Sequence, residues 1–437
     1  MVHAFGHYFD AMVFWAVVPA ACSVIVAVIL YKRSASKRQV AELRKVLDAI
    51  AAKVGVEPYS DGLSRAAPAV RDLFKRGLAA MDACKWDEAV GHFREAMKEA
   101  KGTELVALFN LIGLCQYTPG RLDDALGNYE ESARLAEQFG GKPGRAAALG
   151  NIGVIYRAKG EPDKALKYHE EALAIDRGIG YQQGVANALG NIGNICSDKG
   201  EPDKALNNYE EALAIHREIG DNQGVASDLG NIGLIYRAKG EPNKALNYHE
   251  EALAMARQAG LTTTQAHQLV AIGLIHAARA EFDQALHSYN EGLELHRQAG
   301  NRQGEGIALG NIGNIYRDKG EPDKALANFN EVLRISRGMG WRESEATALV
   351  NIGIVLTDVG KCEQAVPNLL KAWDIYSVMG VANGPYQVLS GLVRCEDKLG
   401  RRRIEELFKE TGLDDKSATN LLKLTDQMRQ GTSGAGK

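Results

Sequence analysis

A forty-residue unit recurs almost letter for letter through most of this chain. Leu149-Gly150-Asn151-Ile152-Gly153 returns as Leu189 to Gly193, Leu229 to Gly233 and Leu309 to Gly313. Weaker copies stand at Val270 to Gly273 and Val350 to Gly353. Ten residues on, Lys159-Gly160-Glu161-Pro162 is echoed at Lys199 to Pro202, Lys239 to Pro242 and Lys319 to Pro322. A period of this size builds stacked supersecondary units rather than a globule around one core. It also points to an extended binding surface rather than a pocket.

Within one unit the spacing predicts two helices. From Arg145 to Lys159, apolar Ala148, Ile152, Ile155 and Tyr156 recur three and four residues apart. Gly160 is a left-handed stop, and Pro162 suits the first turn of the next helix, where its missing N–H loses no bond. The second helix carries Ala165, Leu166, Tyr168, Ala172, Leu173 and Ile175 on its apolar stripe, and Gly178 to Gly180 ends it. No segment alternates convincingly as a strand does.

The small and large residues at Leu149, Gly153, Tyr156, Ala165, His169 and Ala172 resemble the tetratricopeptide repeat (TPR) pattern. Gly77, Trp86, Asp87, Ala89, Phe93 and Ala96 fit it in the first repeat. The resemblance spans residues 66–412 as eight repeats, starting near 66, 103, 143, 183, 223, 263, 303 and 343. A partial ninth, Pro385 to Leu413, would be a cap with Arg401-Arg402-Arg403 on its exposed face. A proline usual at the end of the second helix is absent and the unit is longer than usual. The chain thus resembles the 40-residue subclass of kinesin light chains and Leu-Gly-Asn-repeat adaptors. The fold implied is all-α: a TPR α-solenoid, a right-handed superhelix of antiparallel helix pairs.

The resemblance implies that the first helix of each repeat lines a concave groove where peptides or partner helices bind. Carried over by position, the groove takes a ladder of Asn151, Asn191, Asn231, Asn311 and Asn351, one rung per repeat. Asn194 and Asn314 add further amides, and Arg157, Arg237 and Arg317 add forked cations able to hold carboxylates. An amide offers donors and an acceptor, which suits the main chain of an extended peptide. A purely structural reading stands beside this one, in which the amides bond neighbouring helices. Gly150 and Gly153 each cost about 1 kcal/mol of helix propensity, and close packing would offset that at Gly153. The ladder breaks at Ala271, near which Ala280 and Phe282 replace the stop Gly and the Pro, and at Leu111, with Asn110 one place out of step. Repeats three to five are therefore the best-formed binding stretch, and the sixth reads as a joint.

Ahead of the repeats, residues 1–10 form a short tail and Ala11 to Tyr31 an uncharged apolar run. As a helix it spans about 31 Å, enough for a bilayer. No Lys or Arg precedes it, which argues against a cleaved signal peptide. Lys32, Arg33, Lys37, Arg38, Arg44 and Lys45 follow, placing the repeats on the cytoplasmic side of the cell membrane under the positive-inside rule. The basic segment 32–63 carries Val40, Leu43, Leu47, Ile50 and Val54 at heptad spacing, either an amphipathic connector or a homodimer contact through residues 40–54. Residues 64–412 then hold the repeats, and 413–437 a helix and a flexible tail.

Composition narrows the function. A net charge of −3 gives no case for nucleic acid. The six cysteines lack CxxC spacing, so neither a disulfide framework nor a zinc site is indicated. The C-terminal Gly431 to Lys437 mimics the start of a phosphate loop, but no Ser or Thr follows the lysine and no strand precedes the run. No cofactor is expected. His169 and His249 occupy a position filled by Tyr209, Tyr289 or Phe329 elsewhere, which marks them as packing residues. No catalytic constellation can be assembled, so the expected function is a membrane-anchored scaffold or adaptor, not an enzyme. Its partner would be a protein or extended peptide bearing acidic side chains. The alternative is a tethered scaffold that self-associates without a peptide ligand.

Overall fold

The computed structural model describes residues 68–83, 85–118, 120–380 and 384–434, all of them helix or short turn, with no strand. The apolar run 11–31, the basic segment 32–63 and its heptad residues lie outside the described residues, as do Cys22 and Cys84. Among the described residues no helix is long and apolar enough to cross a membrane.

The chain divides into two compact units at Thr264/Gln265. In the first, α1 (Pro68–Asp82) packs with α2 (Trp86–Met97), and α3 (Thr103–Tyr117) with α4 (Leu122–Phe139). The repetitive stretch follows as α5 (Lys142–Ala158) with α6 (Pro162–Ile179), α7 (Gln182–Asp198) with α8 (Pro202–Ile219), and α9 (Asn222–Ala238) with α10 (Pro242–Gln258). Each of the first four pairs packs on the next through its second helix and the following first helix. Helix α11 (Thr262–Ala278) contains the division point, at the start of the sixth repeat.

The second unit continues with α12 (Phe282–Gln298), α13 (Arg302–Asp318), α14 (Pro322–Met339), α15 (Arg342–Asp358) and α16 (Cys362–Met379). Its cap consists of α17 (Gly384–Leu399), α18 (Arg401–Glu410) and α19 (Asp415–Gly434), so helix continues past Gly431 into the glycine-rich stretch. The three cap arginines are not all displayed. Arg401 reaches Glu396 and Asp426, and Arg403 reaches Glu363, Glu406 and Glu410, so only Arg402 stands out in solvent. The reason is local: the helices packed against α18 each bring an acid to it, Glu363, Glu396 and Asp426, and its arginines tie the cap together.

The turn chemistry follows the sequence. Gly160 sits at φ +74, where only glycine is unstrained. Its N–H bonds to the Arg157 carbonyl, and the Glu161 N–H reaches back to Tyr156 O at 2.9 Å, a six-to-one closure that satisfies the last carbonyls of α5. Pro162 opens α6 directly afterwards. Ala280 keeps the same left-handed turn at φ 57 without glycine's freedom.

Gly153 has the packing role its spacing predicts. A Cβ there would lie 2.6 Å from Nε2 of His169, and at Gly193 and Gly313 it would lie 2.7 Å from the rings of Tyr209 and Phe329. A large ring on the second helix therefore seats on bare backbone of the first. His169 is 1% exposed, and burial, with the Arg157 charge a smaller cause, pushes its imidazole down to about 3. It is a neutral core residue.

Candidate binding groove

The five ladder amides take the same place on α5, α7, α9, α13 and α15. Asn151, Asn191, Asn311 and Asn351 are half-buried, and Asn231 is 7% exposed. Among the described residues none of the five side chains has a hydrogen-bond partner, in contrast to most partly buried polar groups. Beside four of the five rungs the preceding residue is glycine, at Gly150, Gly190, Gly230 and Gly310. A Cβ at Gly150 or Gly310 would meet nothing within 4 Å, so packing does not explain those glycines.

All of the secondary candidates but Asn314 are engaged within the fold. Asn194 Oδ1 accepts from the Tyr209 hydroxyl at 2.7 Å, whereas Asn314 faces a repeat in which Phe329 replaces that tyrosine. The Arg157 guanidinium is 12% exposed and holds Asp198 of the next repeat at 2.6 Å. Arg317 holds its neighbour Asp318 at 3.0 Å, and Arg237 also makes contacts. The structure thus separates the set: the Asn151-type amides carry no partner among the described residues, and the arginines serve contacts within the chain.

Much of the repeated charge is spent on stacking. Lys159 reaches back to Asp123, Lys199 to Asp163 and Lys239 to Asp203, at 2.6, 2.6 and 2.8 Å. Lys319 does the same with Asp283 in the second unit. Along the second helices Arg177 meets Glu211 and Arg217 meets Glu251, each at 2.6 Å. This thirty-six-residue spacing of Lys and Asp was visible in the sequence and marks a seam between consecutive repeats. Tyr156 stacks on Tyr168 with ring centroids 5.4 Å apart, and Lys164 lies 5.0 Å from the Tyr156 centroid, a cation–π contact that finishes the same turn.

Buried polar groups at the repeat junctions were not anticipated. His216 Nδ1 lies 2.7 Å from Asp228 Oδ2, and both residues are 4% exposed or less. Burial pushes the Asp228 carboxyl up, against the opposing pull of that hydrogen bond. Asp176, at the preceding junction, has no cation beside it, and burial raises it to about 7. Among the described residues no group of three or more His, Cys, Asp or Glu could hold a metal ion.

A stack of helix pairs with an open, regularly spaced face is the architecture of a helical-repeat binding protein. The Tetratricopeptide repeat family pattern matches residues 103–178, 184–258 and 265–338, more than half the chain, and the chain belongs to that family. A search of the curated proteins returns no match. Among solved structures, the apo quorum sensor NprR from B. thuringiensis is 16% identical with a TM-score of 0.57, over 78% of this chain and 94% of that one. A Rap protein complexed with Competence and Sporulation Factor is 14% identical with a TM-score of 0.54, over 86% and 99%. A signal-transduction ATPase with a tetratricopeptide repeat sensor from Pyrococcus horikoshii is 15% identical with a TM-score of 0.55, over 80% and 53%. At these identities the likeness is one of fold.

Proposed function

We propose that this protein is a non-catalytic scaffold that captures an extended polypeptide along its amide ladder, centred on Asn151, Asn191 and Asn231. One observation carries the reading: four of the five repeated amides are half-buried and all five lack partners among the described residues, while Asn194 and the three arginines are engaged within the chain. A spare donor and acceptor at each rung match the main-chain groups of an extended segment. Because Arg157 and Arg317 already hold carboxylates, recognition rests on the ligand's main chain rather than on acidic side chains. One structure of similar fold is a complex with Competence and Sporulation Factor, in keeping with capture of a partner.

The reading extends to location. The uncharged run from Ala11 to Tyr31, followed by basic residues, supports a single membrane anchor with the repeats in the cytoplasm. Affinity capture of the detergent-solubilised full chain, with mass spectrometry, identifies the partner. Titration against Asn191→Ala/Asn231→Ala then tests the ladder, and unchanged affinity rules it out. A reporter fused at the C-terminus reads the topology.

A further inference from the structure

Near-identical repeats raise a folding problem. A helix pair moved along the stack by one unit would find the same Lys–Asp seam and the same glycine-and-ring contact. Repeat proteins misassemble by such exchanges, within a chain or between chains. Something must distinguish one junction from the next.

One buried position differs where its surroundings are copied. Toward the end of the second helix stand Asp176, His216, Ala256, His296, Ser336 and Tyr376, each 6% exposed or less. Three residues earlier Leu173, Leu213 and Leu253 are the same. Eight residues later, in the first turn of the next repeat, comes a residue of complementary size. Gly184, Gly224 and Gly304 follow the three larger side chains, and a Cβ there would lie 2.3 Å from Asp176, 2.4 Å from His216 and 2.3 Å from His296. Gly384 likewise follows Tyr376. After the small Ala256 and Ser336 the position is instead Thr264 and Ser344, whereas the buried Ala136 of the second repeat is followed by Gly144, so the size match belongs to the later junctions.

The polar partners are individual too. His216 bonds Asp228, and Gln183 donates to Asp221 at 2.9 Å within the same cluster. In the second unit buried Glu305 is gripped by Arg297 and Arg302 at 2.9 and 2.8 Å. Glu345 is held by Arg337 and Arg342 at 2.9 and 3.1 Å. Asp176 has neither arrangement.

We propose that these paired positions are a stacking code, by which each repeat docks on its own neighbour and not on another repeat or on a second copy of the chain. Setting His216 against a threonine would drive the ring into a methyl. Setting an alanine against Gly224 would leave a gap and strand Asp228 without its partner. Such penalties against the wrong neighbour are how a buried polar group or a size match confers specificity. The code is independent of what the groove binds.

Two exchanges in the full chain test it. Asp176→His with Ala188→Asp copies the letters at 216 and 228 into the preceding junction of the same unit. His216→Asp with Asp228→Ala performs the reverse. Each protein is unfolded in urea and refolded in mild detergent over a hundredfold range of concentration, then sized by chromatography with light scattering. The wild type should return one species throughout. Each exchange should fold yet yield added species, including one of twice the wild-type mass, whose share grows with concentration. Exchanged proteins that refold to the single wild-type species at every concentration overturn the proposal. Failure of both to fold also overturns it, because matched sets would then not be interchangeable.

Discussion

Lys199 Nζ lies 2.6 Å from Asp163 Oδ1, joining the stop turn of one repeat to the first turn of the second helix in the repeat before. Copies of this contact run down the seam, and they explain why Lys159-Gly160-Glu161-Pro162 is preserved as a block. The glycine and proline shape the turn, and that shape delivers the lysine to its carboxylate.

Because the Asp163 carboxylate is exposed, a single pair contributes little. Lys199→Ala should lower stability only slightly, with the difference shrinking at high salt. Urea unfolding in 50 mM and 1 M sodium chloride reads this, and a large loss at both salts would contradict it.

Glycines of two kinds should respond oppositely to alanine. Gly193→Ala drives a methyl into the Tyr209 ring and should cost about 1–3 kcal/mol. Gly150→Ala meets open space and should stabilise the helix by up to about 1 kcal/mol. In the proposed groove the same methyl would also stand beside the Asn151 rung, so a more stable variant that binds its partner less well is expected. Chemical denaturation and a binding titration measure the two effects separately.

Asp176 should make the first unit sensitive to pH. Burial raises its folded value to about 7 from 3.8, so the folded state holds a proton that the unfolded chain has released. Its contribution is therefore most favourable below pH 4 and is lost as pH rises through about 7. Asp176→Asn should flatten the fall in melting temperature between pH 5 and 8. An identical slope in wild type and variant would exclude this residue as the cause.

Ala280 holds a left-handed turn at φ 57 that costs an alanine roughly 1–2 kcal/mol. Ala280→Gly should recover about 1 kcal/mol, visible as a higher melting temperature. A lower one would mean that the methyl makes a contact worth more than the strain.

The helix pairs were legible because periodicity, stop glycine and opening proline agree in most of the forty-residue units, and the packing role of Gly153 followed from its place in the TPR pattern. The ladder amides could be placed on their helices, but their lack of partners could not be known without neighbouring side chains. Arg157 was read as a groove cation because its partner Asp198 stands forty-one residues away, at a position that is alanine at 158, 238 and 278. Arg401 and Arg403 misled for a similar reason: a run of three arginines suggests a solvated face, yet acids brought in by α16, α17 and α19 claim two of them. The junction residues carried a signal in plain view. Divergence amid faithful copying marks the places where a copy would do harm.

From Gly120 to Gly360 every helix is followed by a residue in the left-handed region, and the next helix opens two residues after it. A small insertion or deletion would rotate the following helix off its seam and bring a different face toward Gly153 or Gly193. Length can therefore change smoothly only in whole repeats. For such a chain, reach along a partner is a counted quantity, set by how many times one genetic segment was duplicated.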